Sequence, residues 1–215
     1  MKYAIRALVV ISLFFCLLFF QYKHEPSEPL TSRFIKLDTH GKAKQPWQGP
    51  WACILDTKTG LIWENKTDDE SIHDGLWTYS WKQKEVGVDN SGDCYFETER
   101  CDTDDLIRRM NIEKTCGLDN WRLPSVAELS TLVNENPKVG QAKIFNDFFP
   151  FTKRGDYWSS DHGIPLTGVY GYLKEGAYAF DFIEGKPRPI PYRNAAFVRL
   201  VTKTLPNHLT EITEQ

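Results

Sequence analysis

The chain has 215 residues, of which 41% are hydrophobic and 26% charged, with a formal net charge of −3. That length and apolar content suit one folded domain with a real core, plus appendages. The balance is too acidic to supply the basic field that nucleic acid requires, which excludes a nucleic-acid partner.

The chain opens on a targeting pattern. Lys2 and Arg6 precede the apolar run Ala7–Phe20, the order of a positive n-region and an h-region. The run is shorter than the roughly 20 residues that span a bilayer, but Tyr3–Arg6 extends it if Arg6 snorkels. Bulky Phe19, Phe20, Gln21 and Tyr22 leave no small-residue cleavage site. Two readings stay open for residues 1–20: an uncleaved signal-anchor and a cleaved signal peptide. Both export the rest of the chain to the periplasmic or cell-surface side, and the first adds contact with the inner membrane through residues 3–20. Setting aside Lys2 and Arg6 leaves 24 basic residues against 29 acidic ones in the exported part.

Residues 21–46 are polar, carry Pro26, Pro29 and Pro46, and read as a tether. The domain is expected to span residues 47–203, followed by a flexible tail at 204–215. Its first elements form a hairpin: strand character at Trp51–Asp56, a turn at Thr57–Gly60 with Gly60 at the positive-φ position, and a second strand at Leu61–Glu64. Asn65-Lys66-Thr67 fits a glycosylation sequon. Residues 65–100 are rich in turn residues. A helix is expected from Asp102 or Thr103, with Asp104 and Asp105 in its first turn, matching the helix macrodipole. Ser125 and Glu128 have capping-box spacing and announce a second helix, with Val126, Leu129, Leu132 and Val133 on one apolar face. Tyr157–Ser160, Tyr178–Phe182 and Ala196–Val201 read as strands. Helices in the middle and strands at both ends make the fold class α+β, closed by pairing of the terminal strands.

Export makes the cysteines interpretable. Apart from Cys16, the four are Cys53, Cys94, Cys101 and Cys116, an even number in an oxidising compartment. Three pairings are possible. The favoured one staples the local loop with Cys94–Cys101, which leaves Cys53–Cys116. No C-x-x-C spacing and no nearby His at ligand spacing supports zinc.

Four motifs then arrive in order: W-x-C-x-x-D-x-x-T-G-L-I-W-E at Trp51–Glu64, CGLDNWRLPSVAEL at Cys116–Leu129, YWSS at Tyr157–Ser160 and FVRLV at Phe197–Val201. Together they resemble the Lcl C-terminal domain family, named after the distal domain of a bacterial collagen-like adhesin, from about Trp47 to Val201. No G-X-Y repeat lies upstream, so the adhesin's stalk has no counterpart. The resemblance implies a compact C-type-lectin-like domain, also related in fold to the formylglycine-generating enzyme, with short twisted β-sheets, two main helices and long loops. It implies that Cys53–Cys116 ties the first hairpin to the turn before the second helix. It also implies a binding module: the namesake's domain takes sulfated glycosaminoglycans through basic residues, although those residues have no motif-by-motif counterpart here.

The candidate ligand-binding residues follow two chemistries. Lys186, Arg188 and Arg193 lie in a Pro-rich loop, EGKPRPIPYRN, with Lys153 and Arg154 as possible neighbours, and guanidinium forks suit sulfate and carboxylate. Trp77 and Trp81, with Tyr79, Tyr170 and Tyr172, offer rings that could stack on sugars. No calcium-type D-x-D-x-D-G loop occurs, so no metal and no cofactor are expected. Ser159-Ser160-Asp161-His162 has triad residue types, but adjacent residues cannot converge as a triad must. The expectation is a non-catalytic module for a glycan or anionic polymer, with a structural or protein-interaction role among envelope partners as the rival and an enzyme third.

Overall fold

A computed structural model describes residues 33–94 and 101–203. The targeting segment 1–20, the first part of the tether and the tail lie outside the described residues. Among the described residues no helix is long and apolar enough to cross a membrane.

The elements run β1 (Phe34–Leu37), β2 (Cys53–Asp56), β3 (Leu61–Glu64), β4 (Lys82–Gln83), β5 (Val86–Gly87), α1 (Thr103–Glu113), α2 (Val126–Ser130), β6 (Asp156–Pro165), β7 (Glu175–Asp181), β8 (Lys186–Ile190) and β9 (Val201–Lys203). The main sheet is antiparallel with order β1-β2-β3-β9, and a second sheet has order β6-β7-β8. The architecture is α+β, and the terminal strand β9 pairs with β3 through Ile62↔Thr202.

Strands β2 and β3 are buried along their whole length, because the main sheet has core on both faces. Side chains alternate across a strand. Cys53, Leu55 and Ile62 therefore point into one apolar cluster with Trp81, Leu106 and Trp158. Ile54, Leu61 and Trp63 point into the other, with Leu129, Phe149 and Phe182. The hairpin turn closes as its sequence dictates: Gly60 has φ of 68°, the left-handed region that glycine adopts without strain.

Two expectations are corrected here. The domain does not begin near Trp47, because β1 is a full sheet strand, in register with β2 from Phe34↔Asp56 to Leu37↔Cys53. Phe34 and Leu37 are buried and supply the burial that holds this segment in the fold. The Pro-rich segment is not a loop, because Lys186–Ile190 pairs with β7 as an edge strand. Pro187 and Pro189 lack an N–H, so the donors to β7 come from the alternate residues, and the open edge offers no N–H at the two prolines. That pattern protects an edge against pairing with another chain.

The helices start as their caps require. Asp102 accepts from the Asp105 N–H and caps α1. Ser125 and Glu128 form the full reciprocal capping box on α2. Helix α2 is shorter than its apolar spacing predicts: Val133 leaves it to form a β-bridge with Ile144. The predicted strand Ala196–Val201 is mostly isolated bridges, with regular pairing from Val201 onward.

Both disulfides form, Cys53–Cys116 and Cys94–Cys101. The segment Cys116–Leu129 is anchored from several sides. The Asn111 side chain accepts from the Trp121 N–H at 2.7 Å and donates to the Trp121 carbonyl at 3.1 Å. Arg122 forms a two-pronged pair with Glu128 at 2.8 and 2.7 Å. Asp161 on β6 accepts from the Val126 N–H at 2.6 Å. These bonds join α1, α2 and β6, so the segment is framework.

Candidate functional site

The predicted basic patch comes apart in three dimensions. Lys186 and Arg188 lie on β8, whereas Arg193 lies beyond its far end. Arg188 is committed to Asp156, donating through Nε at 2.7 Å and through Nη2 as well. Arg193 instead donates from Nη2 to the Tyr172 hydroxyl at 2.8 Å. Tyr172 is 70% exposed and belongs to the 3-10 turn Gly168–Leu173, where Val169 and Tyr170 are also exposed. Tyr192, next to Arg193 in the chain, is anchored to the core: it accepts from the Gly163 N–H at 2.9 Å and stacks on Trp81 with ring centroids 4.9 Å apart. The Tyr172 hydroxyl on this exposed turn thus meets the Arg193 guanidinium.

The aromatic candidates divide. Trp81 is fully buried and donates its indole N–H to the Ser159 carbonyl at 2.8 Å. It is core, and its face cannot stack on a ligand. Tyr79 is likewise buried. Trp77 is half-buried, donates to the Ser71 carbonyl at 2.8 Å and lines a recess of about 250 Å³ with Tyr79, Cys94, Arg109 and Glu113. Asn65 of the sequon is 6% exposed, and its amide donates to the Trp51 carbonyl, so it is not presented for glycosylation.

Sequence reasoning missed a buried polar network between β3 and α1. Glu64 lies in the core and its Oε1 accepts from Lys66 Nζ at 2.8 Å and His73 Nδ1 at 3.1 Å. Its Oε2 accepts from the Leu200 N–H at 3.0 Å. The other ring nitrogen of His73 faces Glu113 on α1 at 3.3 Å. Burial alone would raise the Glu64 pKa, but the Lys66 charge and His73 outweigh it and hold Glu64 at about 2. For His73, burial pulls the pKa down, yet the hydrogen bonds to Glu113 and Glu64 prevail and lift it to about 9. An imidazole flanked by a carboxylate on each nitrogen is a double donor, hence an imidazolium. Burial lowers the Lys66 pKa and that of Arg199, which donates to the Glu64 carbonyl and to Thr152. The weak sequence signal was Glu64 and Lys66 flanking Asn65 at the end of a buried strand.

Next to this network lies a cleft of about 600 Å³ between the hairpin and the C-terminal end of α1. His73, Glu113, Asn65 and Asp69 line it, with Thr115 and Cys116 on the far wall. Among the described residues no three His, Cys, Asp or Glu side chains converge closely enough to hold a metal ion. Ser159, Asp161 and His162 do not converge either: Ser159 donates to the Tyr178 carbonyl and Asp161 accepts from Val126.

A family model for the Lcl C-terminal domain matches residues 52–202. The chain belongs to the Lcl C-terminal domain family. No match was found among curated proteins or among solved structures. In this Lcl C-terminal domain the motif residues Arg122 and Arg199 are structural, because each is spent on fixed partners inside the fold.

Proposed function

We propose that the chain is an exported envelope protein whose Lcl C-terminal domain is a non-catalytic binding module, C-type-lectin-like in fold, for a glycan or anionic polymer. The observation that carries this reading is the hydrogen bond from Arg193 to Tyr172 on the exposed Gly168–Leu173 turn. A guanidinium supplies fork-like donors to sulfate or carboxylate, and an adjacent exposed ring gives a sugar a face to stack on. Supporting the lectin-like fold is the way β9 returns beside the first hairpin. Supporting a non-catalytic role, Glu64 and Lys66 are buried and paired with each other, and Arg199 is buried with its Nη groups bonded to the Glu64 carbonyl and Thr152, so none of the three is open to a substrate.

A sulfated-glycan array, probed at low salt, tests the reading. Binding should weaken as salt rises, since surface charges are screened over about 8 Å at physiological ionic strength. Arg193→Ala and Tyr172→Ala should each weaken it by about ten-fold, the equivalent of about 1.4 kcal/mol, while Lys186→Ala has a smaller effect. Absence of binding at low salt would refute the proposal.

A further inference from the structure

We infer that the ligand of the turn carrying Tyr172 is lipid-linked: an anionic sugar headgroup with an apolar chain attached to it. The inference rests on the glycan reading above and narrows its substrate class. Residues 163–173, GIPLTGVYGYL, carry no Asp, Glu, Lys or Arg in a chain that is 26% charged. Yet they form the tip of the β6–β7 hairpin, which closes through Pro165↔Glu175 and through the Leu166 N–H, which donates to the Lys174 carbonyl at 2.8 Å. Within that tip Leu166 is buried, whereas Val169 is 82% exposed and Tyr170 and Tyr172 are exposed with it. Single exposed apolar side chains are ordinary on a protein surface, but several together on one uncharged turn mark a contact site. Charge returns with Lys174 and Glu175 at the root of the turn, and with Arg193, which reaches the Tyr172 hydroxyl.

The two parts of this surface ask for different chemistry. Arg193 spends Nη2 on Tyr172, and its other N–H groups face solvent and suit a sulfate, carboxylate or phosphate. Val169 offers only an isopropyl group. A free polysaccharide brings hydroxyls and charge to that group and gains nothing by covering it, whereas an alkyl chain gains in proportion to the apolar area removed from water. Tyrosine suits the boundary between the two, since its ring is apolar and its hydroxyl polar. A protein partner fits less well, because a stable protein interface takes about 20–30 residues on each side, more than the tip 163–173 supplies. A second copy of the chain, paired about a two-fold axis on this turn, would bring both Arg193 guanidinium groups to one contact.

The test holds the full chain in phosphatidylcholine nanodiscs and titrates it with two soluble probes, sulfated methyl galactoside and sulfated octyl galactoside below its micelle concentration. Uncharged octyl galactoside is the third arm, and empty nanodiscs give the partition baseline for both octyl probes. The sulfated octyl probe should bind about ten-fold tighter than the sulfated methyl probe, and the uncharged octyl probe about ten-fold weaker than its sulfated counterpart. Val169→Ser, at an open position, should narrow the gap between the two sulfated probes by about three-fold, and Arg193→Ala should weaken both. Equal affinity for the two sulfated probes would overturn the lipid-linked inference and leave the glycan reading standing. Equal affinity for the charged and uncharged octyl probes would overturn it in favour of plain bilayer contact. An unchanged gap in Val169→Ser would overturn it as well. Binding of neither sulfated probe would overturn it together with the glycan reading.

Discussion

The His73 bridge makes stability depend on pH in a direction fixed by the geometry. His73 titrates near 6.5 in an unfolded chain and at about 9 in the fold, where Glu64 and Glu113 flank it. The folded state therefore binds the proton more tightly. The stabilisation is fully present below pH 6.5 and is lost as pH rises through 9. At about 1.4 kcal/mol per pKa unit, the loss is at most about 3 kcal/mol, a large share of the roughly 5–15 kcal/mol that holds a domain folded. Lys66 works the other way: burial lowers its pKa, so its contribution improves as pH rises toward 10.5. His73→Asn separates the two, because it removes the imidazolium and leaves Lys66 in place. Urea melts followed by tryptophan fluorescence at pH 6, 7.5 and 9.5 supply the numbers. The wild type should lose more stability than His73→Asn between pH 6 and 9.5, by about 2–3 kcal/mol. Parallel pH profiles for the two proteins would refute the bridging role.

Three further outcomes are expected. Ser125→Ala removes half of the capping box and should cost about 1 kcal/mol in the same melts. Glu64→Gln leaves Lys66 buried without its counter-charge, which should cost about 3–5 kcal/mol and appear as a large fall in denaturation midpoint. Trp81→Ala empties a fully buried site and should cost about 3–5 kcal/mol, with any loss of ligand binding scaling with the unfolded fraction.

Local signals in this sequence survive folding where local chemistry decides the outcome. The hairpin at Cys53–Glu64, the Asp102 cap and the Ser125–Glu128 box are each fixed by a few neighbouring residues, and each forms. The failures are non-local. Strand β1 gains its identity only by pairing with β2, and its own sequence, FIKL, is too short to stand out among prolines and charges. Strand β8 reads as a loop because prolines forbid most strand positions, but not alternate positions on an edge. Lys186, Arg188 and Arg193 are close in sequence, yet the strand geometry spaces them out and Asp156 takes the middle one. The Glu64–His73–Glu113 bridge joins residues 9 and 49 positions apart on different elements, and no periodicity records that.

The two disulfides have different jobs, and their removal should show it. Cys53–Cys116 closes a separation of 63 residues and Cys94–Cys101 one of 7. In the chain-entropy account these restrict the unfolded chain by about 4.3 and about 2.4 kcal/mol. A Cys53→Ala/Cys116→Ala double variant should therefore be less stable than Cys94→Ala/Cys101→Ala by about 2 kcal/mol. The long bridge also has a local role. It joins β2 to the turn after α1, and Ala52 and Cys116 both line the cleft beside the Glu64 network, where Gly41 sits so close to the Cys116 carbonyl that a Cβ would approach it to 2.6 Å. The short bridge belongs to the core cluster around Trp81 and borders the Trp77 recess through Cys94. Equal denaturation midpoints for the two double variants would contradict the loop-length reasoning.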